Sequence, residues 1–375
     1  MTIQILNFLL TLTLLCAKIE ISNKLYEVKI MKKLLKRVAA LALAVVLVAS
    51  VFAGCSANTS KNQVGLLYCS AEANSKYQVE KVAEELSKLG YTTKEYSFAD
   101  SNDLASVLNT AIAESNAIYI PTDNTCANNA ELINNACEPA GIPVIAGEEG
   151  ICEGCGVATL SISYYDLGVA TAKMAYDVLV NGADISTMDI SYVDPATLVK
   201  KAMPERAEKL GITIPEGFVT IGEESGDADT DAQEELAKYD GDKVFNIGIC
   251  QLVQHPALDA ATQGFKDALT KMLGEDHVKF DEQNASGDSA TCSTIVNQFV
   301  SKNVDLILAN ATPALQAAAS ATQDIPILGT SVTEYGVALD IADFNGKTGI
   351  NVSGTSDLAP LDRQAALFEE LNIAK

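Results

Sequence analysis

The chain has 375 residues, enough for two domains or one two-lobed domain with ample core. Lys and Arg number 26 against 49 Asp and Glu, a formal net charge of −23. Nothing in that balance offsets phosphate repulsion, so no nucleic-acid partner is expected. With 2 His and no Trp, His-rich metal sites and His-based catalysis are not expected, and 9 scattered Cys suggest no disulfide framework.

The first 55 residues are set apart by charge. They carry seven basic residues (Lys18, Lys24, Lys29, Lys32, Lys33, Lys36, Arg37) against Glu20 and Glu27, whereas the rest is strongly acidic. Met31 to Arg37 is a basic stretch, Val38 to Phe52 an apolar run, and Ala53-Gly54-Cys55 places small residues before a cysteine. That order reads as a bacterial lipoprotein signal, with Cys55 the lipidated first residue of the mature protein and Phe52 a departure from the usual Leu. The run is shorter than the ~20 residues of a membrane span. Met31 is the expected translation start.

From Gln63 onward short apolar runs alternate with helical patterns. Gln63–Ser70 reads as a strand and Asn74–Leu89 as a helix with Val79, Val82, Ala83, Leu86 and Leu89 on one face. Tyr91–Phe98 reads as a strand, Asn102–Ala113 as a helix and Ala117–Pro121 as a buried strand followed by a helix to Cys137. Ile142–Ala146 and Val157–Ser163 read as strands, and a helix from Tyr165 to Val180 closes the half. Cys152-Glu153-Gly154-Cys155 falls in a Gly-rich stretch and reads as a loop, with no second ligand pair to make a zinc site. Gly217–Lys243 is acidic and Gly-rich and reads as a solvated linker. The plan then repeats: strand Val244–Gln251, helix Pro256–Leu273, strand His277–Gln283, helix Asp288–Val300, strand Val304–Ala309, helix Pro313–Thr322, strands Ile325–Gly329 and Thr348–Gly354, helix Pro360–Asn372.

The two halves align. Val64-Gly65-Leu66-Leu67 resembles Ile247-Gly248-Ile249-Cys250, and Gly141-Ile142-Pro143-Val144 resembles Asp324-Ile325-Pro326-Ile327 at the same interval. The expected fold is α/β: two similar doubly wound parallel-sheet lobes, residues 63–216 and 244–375, joined by 217–243, with a ligand cleft between them at the carboxyl ends of the strands.

The strings Gln251-Leu252-Val253-Gln254-His255-Pro256, Ala311-Thr312-Pro313-Ala314, Thr330-Ser331-Val332-Thr333, Ser356-Asp357, Glu72-Ala73-Asn74-Ser75, Pro121-Thr122-Asp123-Asn124-Thr125 and Ala146-Gly147-Glu148-Glu149 together resemble the tryptophan/tyrosine-type substrate-binding lipoproteins of ABC transporters. The resemblance covers nearly all of the chain after Cys55. It implies a periplasmic-binding-protein type I fold and a lipid-anchored protein on the outer face of the bacterial cytoplasmic membrane. Such a protein captures a small ligand, an aromatic amino acid, and hands it to an ABC permease with its ATPase; no cofactor, metal or catalysis is implied. In that family the segment beginning with Gln251–His255 comes first. Here the halves are reversed, as in a circular permutation, and one inter-lobe hinge strand is expected to be cut.

An amino acid needs a carboxylate side chain for its ammonium and hydroxyls or helix N-termini for its carboxylate. Thr122, Asp123, Asn124 and Thr125 stand at a strand-to-helix turn, with Thr312 at the equivalent turn of the other half; Asp123 is the ammonium candidate, although Asp123 and Thr312 also suit plain helix caps. Glu72, Asn74 and Ser75, and Gln251, Gln254 and His255, follow the first strand of each half. Glu148 and Glu149 face the ligand or solvent, Ser331 and Thr333 occupy the corresponding loop, and Asp357 completes the set implied by the resemblance. Tyr68, Tyr164, Tyr165 and Tyr335 are candidate ring-stacking walls or plain core. A surface sensor for another solute, or an α/β enzyme using Asp123 or Glu149 as base, are the rival readings.

Overall fold

The computed structural model describes residues 62–222 and 239–374; the leader with Cys55, Met31 and the expected apolar run, and the middle of the linker, lie outside the described residues. In chain order the elements are β1 (Gln63–Cys69), α1 (Ala73–Lys88), β2 (Thr92–Phe98), α2 (Ser101–Glu114), β3 (Ala117–Ile120), α3 (Asn124–Asn128), α4 (Ala130–Ala140), β4 (Val144–Ala146), α5 (Glu149–Cys155), β5 (Ala158–Ser161), α6 (Tyr164–Leu179), β6 (Ser191–Tyr192), β7 (Val199–Ala202), α7 (Pro204–Lys209) and β8 (Val219–Thr220). Then follow β9 (Phe245–Gln251), α8 (Pro256–Leu273), β10 (Val278–Asn284), α9 (Ser289–Lys302), β11 (Leu306–Asn310), α10 (Thr312–Ala321), β12 (Ile327–Val332), α11 (Tyr335–Ala338), β13 (Val352–Ser356) and α12 (Leu361–Glu370).

Two sheets result. One runs β2-β1-β3-β4-β5-β7-β8 and the other β10-β9-β11-β12-β13-β6. The strands β1 to β5 are mutually parallel, as are all pairs of the second sheet; β7 alone runs antiparallel to its neighbour β5. The apolar runs explain this: every residue of β3, β4, β11 and β12 is buried, as a strand covered by helices on both faces requires. Both sheets wind outward from their first strand in the same order, so each has a switch point at the carboxyl end of β1/β3 or β9/β11, where open α/β sheets take ligands.

The packing divides the chain differently from the expected boundaries. Helix α6 follows β5 of the first sheet but buries Ala172, Met174, Ala175 and Tyr176 with Phe245, Ile247 and Phe265 of the second. Gly168 and Gly264 let α6 and α8 touch, because a Cβ on either would run into the facing backbone. β6 then pairs with β13, and the chain returns to the first sheet at β7. Conversely α12, after β13, buries Ala365, Leu367 and Phe368 against Val64, Val79 and Val82 of the first lobe. The chain thus crosses between the lobes at residues 161–164, 192–199 and 356–361, and each crossing is continuous. The expectation of a cut hinge is therefore corrected. Residues 62 and 373 lie together in the first lobe: the Tyr91 hydroxyl donates to the Ile373 carbonyl at 3.2 Å and the next residue's N–H, Thr92, donates to the Asn62 carbonyl at 3.0 Å. Both described ends meet one strand start.

The expected Gly-rich loop at Cys152–Cys155 is also corrected. It is helix α5, because Glu148 accepts from the Gly150 N–H at 2.7 Å and from the Ile151 N–H, capping a turn whose Ile151, Cys152 and Cys155 are buried. Both thiols are free, and burial pushes their pKa values up, the opposite of a reactive thiolate.

Candidate functional site

The carboxyl ends of both sheets face one cleft. Its closed core measures about 70 Å³, and with its open mouth about 680 Å³. Glu72, Asn74, Thr122, Asp123, Asn124 and Glu148 line it from the first lobe, His255, Leu258, Thr312, Pro313, Ser331 and Thr333 from the second, with Tyr164 and Asp357 at the crossings. The lobes touch across it. Asn74 Nδ2 donates to Thr312 Oγ1 at 2.9 Å, and Gln78 Nε2 to Thr333 Oγ1 at 3.5 Å. The His255 ring lies so close over Gly150 that a Cβ there would be 2.8 Å from it. His255 Nδ1 accepts from the Ala257 N–H at 3.3 Å as the cap of α8, and burial lowers its pKa, which keeps it neutral.

Four buried or partly buried carboxyls surround this space, and three are committed to backbone. Asp123 caps α3: Oδ1 accepts from the Cys126 N–H at 2.8 Å and Oδ2 from the Cys69 N–H at 2.7 Å. Glu72 accepts from the N–H and side chain of both Asn124 and Thr125 at 2.8–3.1 Å, so it too serves the start of α3 and not its own helix. Burial, and next the charge of Asp123, pushes Glu72 up to about 7. Burial likewise raises Asp123, against the hydrogen bonds of Cys69 and Cys126. Glu148, the cap of α5, is pushed up to about 7 by burial, with the charges of Glu149 and Asp357 adding to it against its two backbone N–H bonds. Asp357 differs. Tyr164 OH donates to its Oδ2 at 3.1 Å, but Oδ1 has no hydrogen-bond partner among the described residues. Burial raises its pKa, opposed by hydrogen bonds from Thr333 and Tyr164.

The second lobe's rim combines the His255 cap of α8 with strained backbone at two other positions. Ala311, just after β11, holds φ +87°, and Ser331 in β12 holds φ +55° with its buried Oγ unpartnered. Non-glycine residues held in that region cluster at ligand clamps. Helix α10 starts behind Ala311 with no side-chain cap, and Thr312 and Pro313 of its first turn line the cleft.

Of the residues expected from the sequence, Glu72, Asn74, Thr122, Asp123, Asn124, Glu148, His255, Thr312, Ser331, Thr333 and Asp357 line the cleft. Ser75 and Thr125 sit just behind it, on the Thr122 carbonyl at 3.4 Å and on Glu72. Glu149 turns away to Lys201 at 2.5 Å. Gln251 is tied to Thr262 and Asp259 at 2.7 and 2.6 Å, and Gln254 is exposed, so both border a separate surface depression. Of the four tyrosines only Tyr164 lines the cleft; Tyr68 bonds Glu95, Tyr335 bonds the Thr355 carbonyl within the core, and Tyr165 is exposed on Asp267. Leu258 and Pro313 were missed as wall residues; both lie in the first turn of a helix that starts at a strand's carboxyl end, which was the available signal.

The model of the family described as ABC transporter substrate binding protein matches residues 59–224 and 246–372. A curated relative, the "Tyrosine-binding protein" of Clostridioides difficile (strain R20291), is 44% identical over 144 residues, 38% of this chain and 41% of that one. The chain thus aligns with about two fifths of that relative's length. A solved ABC domain in complex with L-Trp from Streptococcus pneumonia is 32% identical over 41% of this chain and 52% of that one, with a TM-score of 0.39. A carbohydrate transporter solute binding protein from Agrobacterium radiobacter, in complex with D-arabinose, covers 84% of this chain and 90% of its own at 13% identity and a TM-score of 0.51, a likeness of fold alone. The family match spans both lobes and every element that borders the cleft, and the chain belongs to the ABC transporter substrate binding protein family.

Proposed function

We propose that the chain is the extracytoplasmic capture component of an ABC importer: it closes on an aromatic amino acid, is anchored to the membrane outside the cell through lipidated Cys55, delivers to a permease and ATPase, and does no chemistry. The observation that carries this reading is the cleft between two sheets, bridged by Asn74–Thr312 and lined with buried polar groups. The tyrosine-binding relative supports an aromatic ligand, as do Tyr164, the His255 ring, Leu258 and Pro313 on the walls. A closed core of about 70 Å³ has room for a few waters. Pockets for small organic ligands run to about 300 Å³ or more, so the lobes part to load.

The protein has no Trp, so indole emission would come from ligand alone. After unfolding and refolding to strip retained solute, added L-tryptophan should shift its emission to shorter wavelength, and L-tyrosine or L-phenylalanine should reverse the shift while leucine or a sugar should not. Stripped, folded protein giving neither shift nor heat with any aromatic amino acid overturns the ligand assignment. Cys55→Ala should release the protein or leave a precursor; a mature, lipid-labelled product in that variant removes the anchor.

The reversed order of the halves belongs to the same reading. Asn62 and Ile373 sit on neighbouring residues of one strand start, as expected if α12 once ran straight into β1. A variant that joins residue 374 to 62 through a short Gly-Ser link and opens the chain before Tyr239 should bind the same ligand within about threefold. Failure of that variant to fold, beside a folded parent, counts against the permutation.

A further inference from the structure

This inference rests on the reading that the lobes close on a ligand, and it concerns what closure does to two titratable groups. His255 stands at the start of α8 in the second lobe, and Glu148 at the start of α5 in the first. His255 Nδ1 accepts from the Ala257 N–H at 3.3 Å, so the hydrogen of the neutral ring is on Nε2. Glu148 is buried, and its oxygens accept from the Gly150 and Ile151 N–H groups. A Cβ added at Gly150 would lie 2.8 Å from His255 Cε1, 2.9 Å from His255 Nε2 and 3.3 Å from Glu148 Oε1. The edge of the ring and the carboxyl therefore border one small space, brought there from opposite lobes. The missing side chain of Gly150 is what lets them approach.

Parting the lobes lifts the ring from Gly150 and opens Glu148 to the cleft. In water the imidazole titrates at 6.5 and the carboxyl at 4.5, so at about pH 6 the open form holds mostly an imidazolium and a carboxylate. Closure opposes both charges. An imidazolium needs a hydrogen on Nδ1, which removes the Ala257 bond, and closure takes its charge out of water against the Gly150 backbone. A Glu148 carboxylate would be buried with the acids Glu149 and Asp357 as neighbours and two N–H bonds to support it. Burial accordingly lowers His255 from its ordinary value and raises Glu148 to about 7. The remaining groups in range leave these directions unchanged. Glu149 is paired with Lys201, and the Tyr164 hydroxyl and the Cys152 and Cys155 thiols are raised by burial and stay neutral. Asp259, beside His255, pulls the ring back only in part.

We propose that closure shifts one proton across the cleft: His255 gives up its Nδ1 proton, Glu148 gains one on a carboxyl oxygen, and the pair closes uncharged. Solvent carries the proton, and the summed charge of the two groups is zero before and after. Each group offsets the pH dependence that the other would impose on closure. Ligand capture therefore stays more even across neutral pH than either group alone would allow.

Calorimetric titration with L-tyrosine at pH 6 and pH 8, on the full chain and on Glu148→Gln and His255→Asn, tests this. Both replacements keep a side-chain oxygen to cap their helix, and circular dichroism confirms that each is folded. From pH 8 to pH 6 the affinity of Glu148→Gln should fall about tenfold relative to the parent, because only the discharge of His255 remains. That of His255→Asn should rise about threefold relative to the parent, because only the proton uptake at Glu148 remains. Asp357 is common to all three proteins, so its own titration cancels in these ratios. Shifts of the same sign in the two variants overturn the proposal, since an ion pair across the cleft would lose in both. A variant that runs parallel to the parent overturns it as well. Small-angle scattering of the ligand-free proteins applies the same test without ligand. Between pH 8 and pH 6, relative to the parent, the radius of gyration should grow in Glu148→Gln and shrink in His255→Asn. If tyrosine gives no heat with any of the three, the aromatic reading fails and the two radii alone decide the proton shift.

Discussion

The rims of the two lobes solve the same problem in opposite ways. The first lobe presents its helix starts with acids: Asp123 and Glu72 on α3, Glu148 on α5. The second presents α10 uncapped behind a strained Ala311, with Ser331 in the same backbone region nearby. Caps consume carboxylates, so an acid-rich rim becomes chemically quiet toward a ligand. The other rim keeps strained backbone and one helix start without a side-chain cap. Asp123 and Asp357 make the contrast sharp: both are buried at the carboxyl end of a parallel strand, yet one has two backbone partners and the other an empty oxygen.

The largest break in that comparison is Asp123→Ala. It strips partners from the buried N–H groups of Cys69 and Cys126 and uncaps α3. Each orphaned donor costs about 1–3 kcal/mol, offset in part by relief of the charge beside Glu72. We expect a net loss of about 3 kcal/mol in urea unfolding, with ligand affinity of the folded protein little changed. A stable variant that no longer binds would make Asp123 a ligand contact instead of a cap.

How much of this was legible beforehand follows from what each signal encodes. The buried strands β1, β3, β9 and β11 and the repeat between halves were readable because parallel strands are continuous apolar runs. Helix α5 was not, because Glu149-Gly150-Ile151-Cys152-Glu153-Gly154-Cys155 has loop composition and is held helical by a cap and by burial. The sequence marked α6 and α12 as helices but could not say which sheet receives their buried residues. The site followed the same rule. Residue types at strand ends, with the family resemblance, found eleven of the cleft-lining residues, but the commitment of Asp123 to backbone was hidden because the Cys69 N–H it accepts from is distant in sequence.

The next effect is set by pH. Glu148 rises from 4.5 to about 7 with Asp357, Glu149 and the neutral His255 ring around it, and Glu72 on the same rim rises to about 7. A carboxyl whose pKa is higher folded than unfolded stabilises the fold fully below about 4.5, and that contribution is lost as pH climbs through 7. The ligand-free protein should therefore melt at a higher temperature at pH 5 than at pH 7.5. Glu148→Gln should remove a share of that slope worth about 2–3 kcal/mol, while its amide oxygen keeps one of the two backbone N–H bonds of the cap and the other is lost at every pH. A flat melting profile between pH 5 and 7.5 would mean that the first rim is not buried as a set of acids.

The smallest effect belongs to the bridge between rims. Asn74 Nδ2 to Thr312 Oγ1 spans the cleft at 2.9 Å and is a neutral hydrogen bond, worth about 1 kcal/mol net. Thr312→Val keeps the shape and removes the acceptor. Stability should hardly move, because each lobe keeps its own core and the three crossings persist. The balance of open and closed forms should shift by about fivefold toward open. Small-angle scattering of the ligand-free variant should then give a larger radius of gyration than the parent, and ligand should restore the parent value. If the bond instead held one lobe's fold together, Thr312→Val would lower the melting temperature without changing the radius. The two readouts together separate a latch from a brace, because only a latch gives way to the energy of ligand binding.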